Sequence, residues 1–149
     1  MPATRMFQFS RHLAIVFGIV LPVLETIRRA KQLGDPGAWP MWLDDILLGA
    51  LLLAGAWLTS GHRYQNAKYL VAAWGVACGM AYGSFFGQAM RLDLPDPSGI
   101  PATWVVAIKG VGFAMAIVAL IGALKPPPGD ELIQHPERLD EMLDSTDDA

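Results

Sequence analysis

Residues 69–90 read YLVAAWGVACGMAYGSFFGQAM, an apolar run in which glycine returns at every fourth position, at Gly75, Gly79, Gly83 and Gly87. In the interior of a soluble helix each of these glycines would cost about 1 kcal/mol relative to alanine. In lipid, a glycine without a side chain lets a second helix approach the backbone closely. The run therefore predicts a membrane helix of the glycine-zipper type. Because the four-residue repeat exceeds the helical turn, the row drifts around the helix and favours a right-handed crossing.

Three further runs are apolar and long enough to cross a bilayer, which takes about 20 residues per helix. The four predicted spans cover approximately 11–31, 43–61, 68–91 and 103–124. The chain has 149 residues, of which 53% are hydrophobic, and its mean hydropathy is +0.36. We therefore expect an all-α integral membrane protein, with four transmembrane helices in a compact bundle over residues 1–125.

The two halves of this bundle resemble each other weakly. When the first predicted hairpin is aligned with the second, Asp35-Pro36 falls on Asp96-Pro97, and Gly49 falls on Gly110. Two parallel helical-hairpin repeats would explain this alignment. Convergence of two turns would also explain it, because Asp-Pro is a favourable way to begin a turn.

Residues 126–149 form a separate acidic tail. It starts with Pro126-Pro127-Pro128, which ends the fourth helix, and it holds eight acidic residues and one arginine. We expect this tail to be partly disordered. It is either simply solvated or docks on a partner through a short helix that begins near Pro136.

The distribution of basic and aromatic residues predicts the membrane setting. Lysine and arginine near span ends number five on the side of the N-terminus (Arg5, Arg11, Arg63, Lys68, Lys125) and four on the other (Arg28, Arg29, Lys31, Arg91). The positive-inside rule then favours cytoplasmic termini in a multi-pass protein of a bacterial inner membrane. Tryptophans at 39, 42 and 104 and at 57 and 74 predict aromatic belts at the two interfaces. The scattered basic residues indicate a lipid bilayer as the partner and give no case for nucleic acid.

Charged residues inside the predicted spans are the candidate functional residues, because such groups are costly in lipid and usually face protein or water. The candidate cluster is Glu25, Asp44, Asp45, Gln88, Arg91 and Lys109. On each predicted helix, a charged residue lies at one end of a row of small residues, and this end points to the same membrane face in all four helices. Rows of small residues pack against other helices. We expect the cluster to converge near one membrane face. It either holds the helices in register as ion pairs or forms a polar site for a small polar ligand or a proton.

The candidate packing residues are Gly75, Gly79, Gly83, Gly87 and Gly112. Gly112 lies in the small-residue row that starts at Lys109 in the fourth span. These residues predict a tight seam with another helix, which belongs to the same chain, to another copy or to a partner membrane protein.

No sequence motif indicates an enzyme. The patterns CxxC, HExxH, GxSxG and the Walker A loop do not occur in the sequence, and its single cysteine excludes an intrachain disulfide. No metal cluster or cofactor is expected, although a haem held by His12 and His62 is conceivable. The sequence leaves two alternative functions. One is a structural or accessory membrane subunit that packs through the glycine-rich helix face, and the other is a small transporter or channel component that uses the charged cluster.

Overall fold

The structure, a computed structural model, describes residues 3–29, 34, 37, 39–61, 64–93 and 100–125. This part of the chain is all-helical, which confirms the predicted fold class at that level. Its helices are α1 (Ala3–Arg29), α2 (Trp39–Leu58), a 3-10 helix (Tyr64–Asn66), α3 (Ala67–Ala89) and α4 (Ala102–Ala123).

Several predictions concern residues outside the described part of the chain. They are the acidic tail 126–149 with its docking helix, the pairing of Asp35-Pro36 with Asp96-Pro97, the residues His62 and Arg63, and the side chains of Arg28 and Arg29. These remain predictions.

Three helical stretches are long and apolar enough to cross a membrane: Thr4–Ile27, Tyr64–Ala89 and Ala102–Ala123. They support a membrane protein with transmembrane helices. α2 occupies the second predicted span, 43–61, but is not among the three stretches found in the described residues. The crossing by α2 remains a prediction.

α1 begins two turns before the predicted boundary at residue 11. The apolar run that suggested this boundary excludes Thr4, Arg5 and Gln8, but the helical spacing places Phe7 on the buried side. The Phe7 ring packs edge-on against Tyr64, with ring centroids 5.5 Å apart. Packing of one side of the helix, rather than overall apolarity, therefore decides where α1 starts.

Each of the four helices packs mainly against two others, α1 on α2 and α4, and α3 on α2 and α4. The α1–α2 contact has the closest backbone approach. A methyl group at Gly49 would collide with the ring of Pro22 and lie 2.7 Å from the carbonyl oxygen of Gly18. A methyl group at Gly18 would lie 2.7 Å from Cγ of Leu53. These two glycines therefore form the seam between α1 and α2.

At each of the other three helix contacts, a glycine also lies close to the neighbouring helix. A Cβ at Gly55 would lie 3.0 Å from the Leu70 Cα, between α2 and α3. A Cβ at Gly122 would lie 2.7 Å from the Met6 carbonyl oxygen, between α4 and α1. A Cβ at Gly110 of α4 would lie 3.1 Å from Cε2 of Phe85 on α3. Absent side chains thus permit close packing at every main helix contact, as is typical of helix association in lipid.

The glycine row of α3 is not one of these contacts. Gly75, Gly79, Gly83 and Gly87 are exposed, and a Cβ at any of them would meet no described atom within 4 Å. The buried side of α3 instead consists of Ala67, Leu70, Ala73, Trp74 and Ala77. The close partner predicted for the glycine row is therefore not supplied by the described part of this chain.

The predicted tryptophan belts are only partly consistent with the structure. Trp39, Trp57 and Trp104 are exposed, as interfacial anchors would be. Trp74, by contrast, is fully buried and packs edge-on against Phe17 of α1, with centroids 5.8 Å apart. Its large ring fills the space between α1 and α3, so Trp74 is a core residue.

The α1–α2 seam yields a prediction about stability. We expect Gly49→Ala to lower the free energy of unfolding by about 1–3 kcal/mol, because the added methyl overpacks against Pro22 and the Gly18 backbone. Gly79→Ala is the matched control, since its methyl enters open space and alanine favours the helix. Thermal unfolding of the purified protein in detergent measures both. Equal losses in the two variants would contradict the assigned seam.

Candidate functional site

A cavity of about 420 Å³ lies between the four helices. It reaches from the second turn of α2 and α4 toward the middle of both helices. Its lining residues are Phe17 and Leu21 of α1, Asp44, Asp45 and Leu48 of α2, Ala77, Met80, Ala81 and Ser84 of α3, and Ile108, Lys109, Gly112, Phe113 and Ala116 of α4. This volume suits a small organic ligand.

The polar residues of the cavity gather at one end. Asp44, Asp45 and Lys109 lie in the first two turns of α2 and α4, and Ser84 lies in the C-terminal part of α3. The other lining residues are apolar or glycine. An apolar chamber with a few convergent polar groups is the usual form of a small-molecule site.

Lys109 is connected to α3. Its ammonium group donates a hydrogen bond to the side-chain oxygen of Gln88, with an Nζ–Oε1 distance of 3.3 Å. This bond fixes the lysine beside the cavity and joins α3 to α4. Among the described lining residues there are two carboxylates and one ammonium, so their formal charge is −1 when all three are ionised.

An aromatic cluster supports the α3–α4 wall. Phe113, which lines the cavity, stacks against Phe85 with centroids 6.3 Å apart, and it packs edge-on against Tyr82 at 6.1 Å. Phe86 packs on both Tyr82 and Phe85, at 4.6 and 5.0 Å. These contacts restrict the ring of Phe113 and so give the wall a defined shape.

On the opposite side, two successive hydrogen bonds lie near the charged end, and the second of them links α1 to α2. The Thr26 hydroxyl donates to the carbonyl oxygen of Pro22 at 2.7 Å, and the indole Nε1 of Trp42 donates to Thr26 Oγ1 at 3.0 Å. Trp42 precedes the two aspartates by less than one turn. The bond from Trp42 therefore holds the start of α2 against α1, next to the cavity.

The predicted cluster assembles in part. Asp44, Asp45 and Lys109 line the cavity, and Gln88 binds Lys109. Two members, Glu25 and Arg91, do not line the cavity. Glu25 is buried, with 9% of its surface exposed, but it is not a lining residue. Arg91 lies in the turn after α3 with an exposed side chain, and its backbone N–H donates to the carbonyl oxygen of Gln88 at 3.0 Å. The convergence of all the predicted charges near one membrane face therefore remains a prediction.

Gly112 also has a different environment from the one predicted. It lines the cavity, and a Cβ at this position would meet no described atom within 4 Å. It widens the cavity instead of making a close helix contact. Further along the same row, Ala116, Ala119 and Ala123 are buried.

Sequence reasoning did not identify the apolar walls. Phe17, Leu21, Met80 and Phe113 look like ordinary span residues, because apolar side chains face both lipid and protein in a membrane helix. The sequence signal for these walls is the spacing of three small residues on α3. Ala77, Ala81 and Ser84 repeat at helical spacing on a side of α3 away from the glycine row.

The described residues give no sign of a metal or haem centre. Within them, no group of three or more His, Cys, Asp and Glu side chains is placed to hold a metal ion. His12 is exposed, and its Nδ1 lies 2.7 Å from the carbonyl oxygen of Gln8. The second histidine of the conceivable haem pair, His62, lies outside the described residues.

Comparison with known proteins identifies no relative. The chain matches no protein-family model, and neither a curated protein nor a solved structure matches it. The proposed function of the chain therefore rests on its cavity and its helix surfaces.

The cavity yields a prediction about water access. In a Cys78→Ala background, we expect Ser84→Cys to react readily with a water-soluble thiol reagent, because Ser84 is exposed and lines the charged end. Ala73→Cys is the control, since Ala73 is buried on the same helix and is not a lining residue. Labelling rates of the protein in lipid discs measure both. If Ser84→Cys reacted as slowly as Ala73→Cys, a water-filled cavity would be excluded.

Proposed function

We propose that the four helices form a transmembrane bundle in a bacterial inner membrane, with both termini in the cytoplasm, and that this bundle binds a small ligand between its helices. The protein would act as a small transporter or channel component. The observation that carries this proposal is the cavity of about 420 Å³ with Asp44, Asp45 and Lys109 at one end.

The energetics of charge in lipid support this proposal. A lysine or aspartate at the centre of a membrane helix costs about 2.5–3.5 kcal/mol on insertion scales. If the three charges served only to fix the helices in register, close packing around them would shield them best from lipid. Instead they border an open chamber, which is the arrangement expected where water and a polar ligand must enter.

The shape of the cavity suggests how a ligand would bind. Phe17, Leu48, Met80 and Phe113 would surround an apolar body, while Asp44, Asp45 and Ser84 would orient a polar group at the charged end. The Lys109–Gln88 hydrogen bond would hold that end in shape. An amphipathic molecule therefore fits the lining better than either a bare ion or a pure hydrocarbon.

Filling the cavity tests this proposal. We expect phenylbutanol, a neutral amphipathic probe, to bind saturably to the protein in phosphatidylcholine discs, and Ala81→Phe to abolish this binding because the new ring occupies the cavity. Ala114→Phe is the control, since Ala114 is an exposed residue of α4 that does not line the cavity. Calorimetry corrected for empty discs measures binding. If both variants bound phenylbutanol like the unmodified chain, the cavity would not be the site.

A second candidate function is favoured by a different observation. The exposed row Gly75, Gly79, Gly83 and Gly87 leaves a strip of bare backbone on α3 with no described atom above it. Van der Waals contact between helices drives association in lipid, and such a strip permits the closest contact. The protein would then be a structural or accessory subunit that packs through this face, on a second copy or on another membrane protein.

Blocking the strip tests this candidate. We expect Gly79→Leu together with Gly83→Leu to reduce self-association in lipid by at least about tenfold, because the new side chains separate the helix backbones. Ala114→Leu, on the exposed side of α4, should have no effect. Energy transfer between labelled copies, measured against dilution in lipid, reports association. A monomer at all dilutions would exclude self-association, and an unchanged oligomer in the double variant would exclude the glycine strip as its interface.

A further inference from the structure

The three charged residues of the cavity are not equivalent. Lys109 donates to Gln88, and Asp45 also has an interaction partner within the protein. Asp44 lines the same cavity with an exposed side chain, and its carboxylate makes no hydrogen bond or ion pair with any residue that the structure describes. Asp44 is therefore the charged group that is available to a ligand.

A second polar group in the cavity is also available. Ser84 is exposed and lines the cavity from α3, and its hydroxyl makes no hydrogen bond within the described part of the chain. Serine in a helix commonly bonds back to the carbonyl one turn earlier. A hydroxyl without that bond can accept a hydrogen bond from a ligand that has several donors.

The walls favour the same kind of ligand. Phe17 and Phe113 contribute aromatic rings, which attract cations as well as apolar groups. With two carboxylates and one ammonium, the described lining residues carry a formal charge of −1. An anionic ligand would meet this excess of negative charge, and the only cation among the described lining residues already donates to Gln88.

We infer that the ligand of this cavity is an amphipathic organic cation, an ammonium group attached to an apolar body. The ammonium would donate to the carboxylate of Asp44 and to the hydroxyl of Ser84, and the body would pack against Leu48, Met80 and Phe113. This inference rests on the proposed function, because it names the ligand class of the same cavity.

Three probes of nearly equal shape test the inference: phenylbutylamine, phenylbutanol and phenylbutyrate, which are cationic, neutral and anionic at neutral pH. Their affinities for the unmodified chain are measured by calorimetry in phosphatidylcholine discs, with empty discs subtracted. Zwitterionic lipid avoids attraction of the amine to anionic headgroups. We expect the amine to bind at least about tenfold more tightly than the alcohol, and the acid to bind most weakly.

Two variants assign this preference to Asp44. Asp44→Asn should reduce amine affinity to that of the alcohol, while alcohol binding stays unchanged. Asp93→Asn should change neither, because Asp93 is an exposed residue after α3 that does not line the cavity. Asp44→Glu should retain the amine preference, since it keeps the charge.

The possible results distinguish a failure of the proposed function from a failure of the cationic ligand class. If none of the three probes binds saturably, the proposed function itself fails. If the alcohol binds but the amine shows no advantage, or the acid binds most tightly, the cavity remains a ligand site and the cationic class is overturned. Retention of the amine preference in a folded Asp44→Asn variant would also overturn the inference. The affinities of the three probes for the unmodified chain can be compared even if a variant fails to fold.

Discussion

Close approach of helix backbones at glycine is the constraint on which this structure depends. Apolar side chains gain little from leaving lipid for a protein interior, so helices must associate through van der Waals contact and hydrogen bonds. Gly18 and Gly49 place α1 and α2 in near backbone contact, and Gly122 does the same for α4 against Met6. Small buried alanines continue these contacts along the helices, and Trp74 is the largest fully buried side chain among the described residues.

The cavity lies at the charged end of the four helices. The close approaches of Gly55 to Leu70 and of Gly122 to Met6 lie toward the other end, and the ring pair Phe17–Trp74 lies between the two ends. Toward the starts of α2 and α4, the Trp42–Thr26 and Lys109–Gln88 hydrogen bonds join the helices. The cavity lies between the helices that these bonds join.

Much of the architecture could be predicted because span length and charge are local properties of a membrane sequence. The starts of α3 and α4, at Ala67 and Ala102, fall within one residue of the predicted boundaries. The proximity of Asp44, Asp45, Gln88 and Lys109 also follows from their common depth in neighbouring helices. The sequence does not predict the early start of α1, because its first turns mix polar and apolar residues and only the side that holds Phe7 is buried.

By itself, the sequence determined that the described chain is helical, which stretches are apolar enough to cross a membrane, and which charges lie at similar depth. Only the tertiary structure decided which side of each helix faces its neighbours. In lipid both the interior and the exterior of a membrane protein are apolar, so hydrophobicity does not distinguish them. The most regular glycine row, on α3, therefore faces away from the described part of this chain, while single glycines at 18, 49, 55 and 122 form its close contacts.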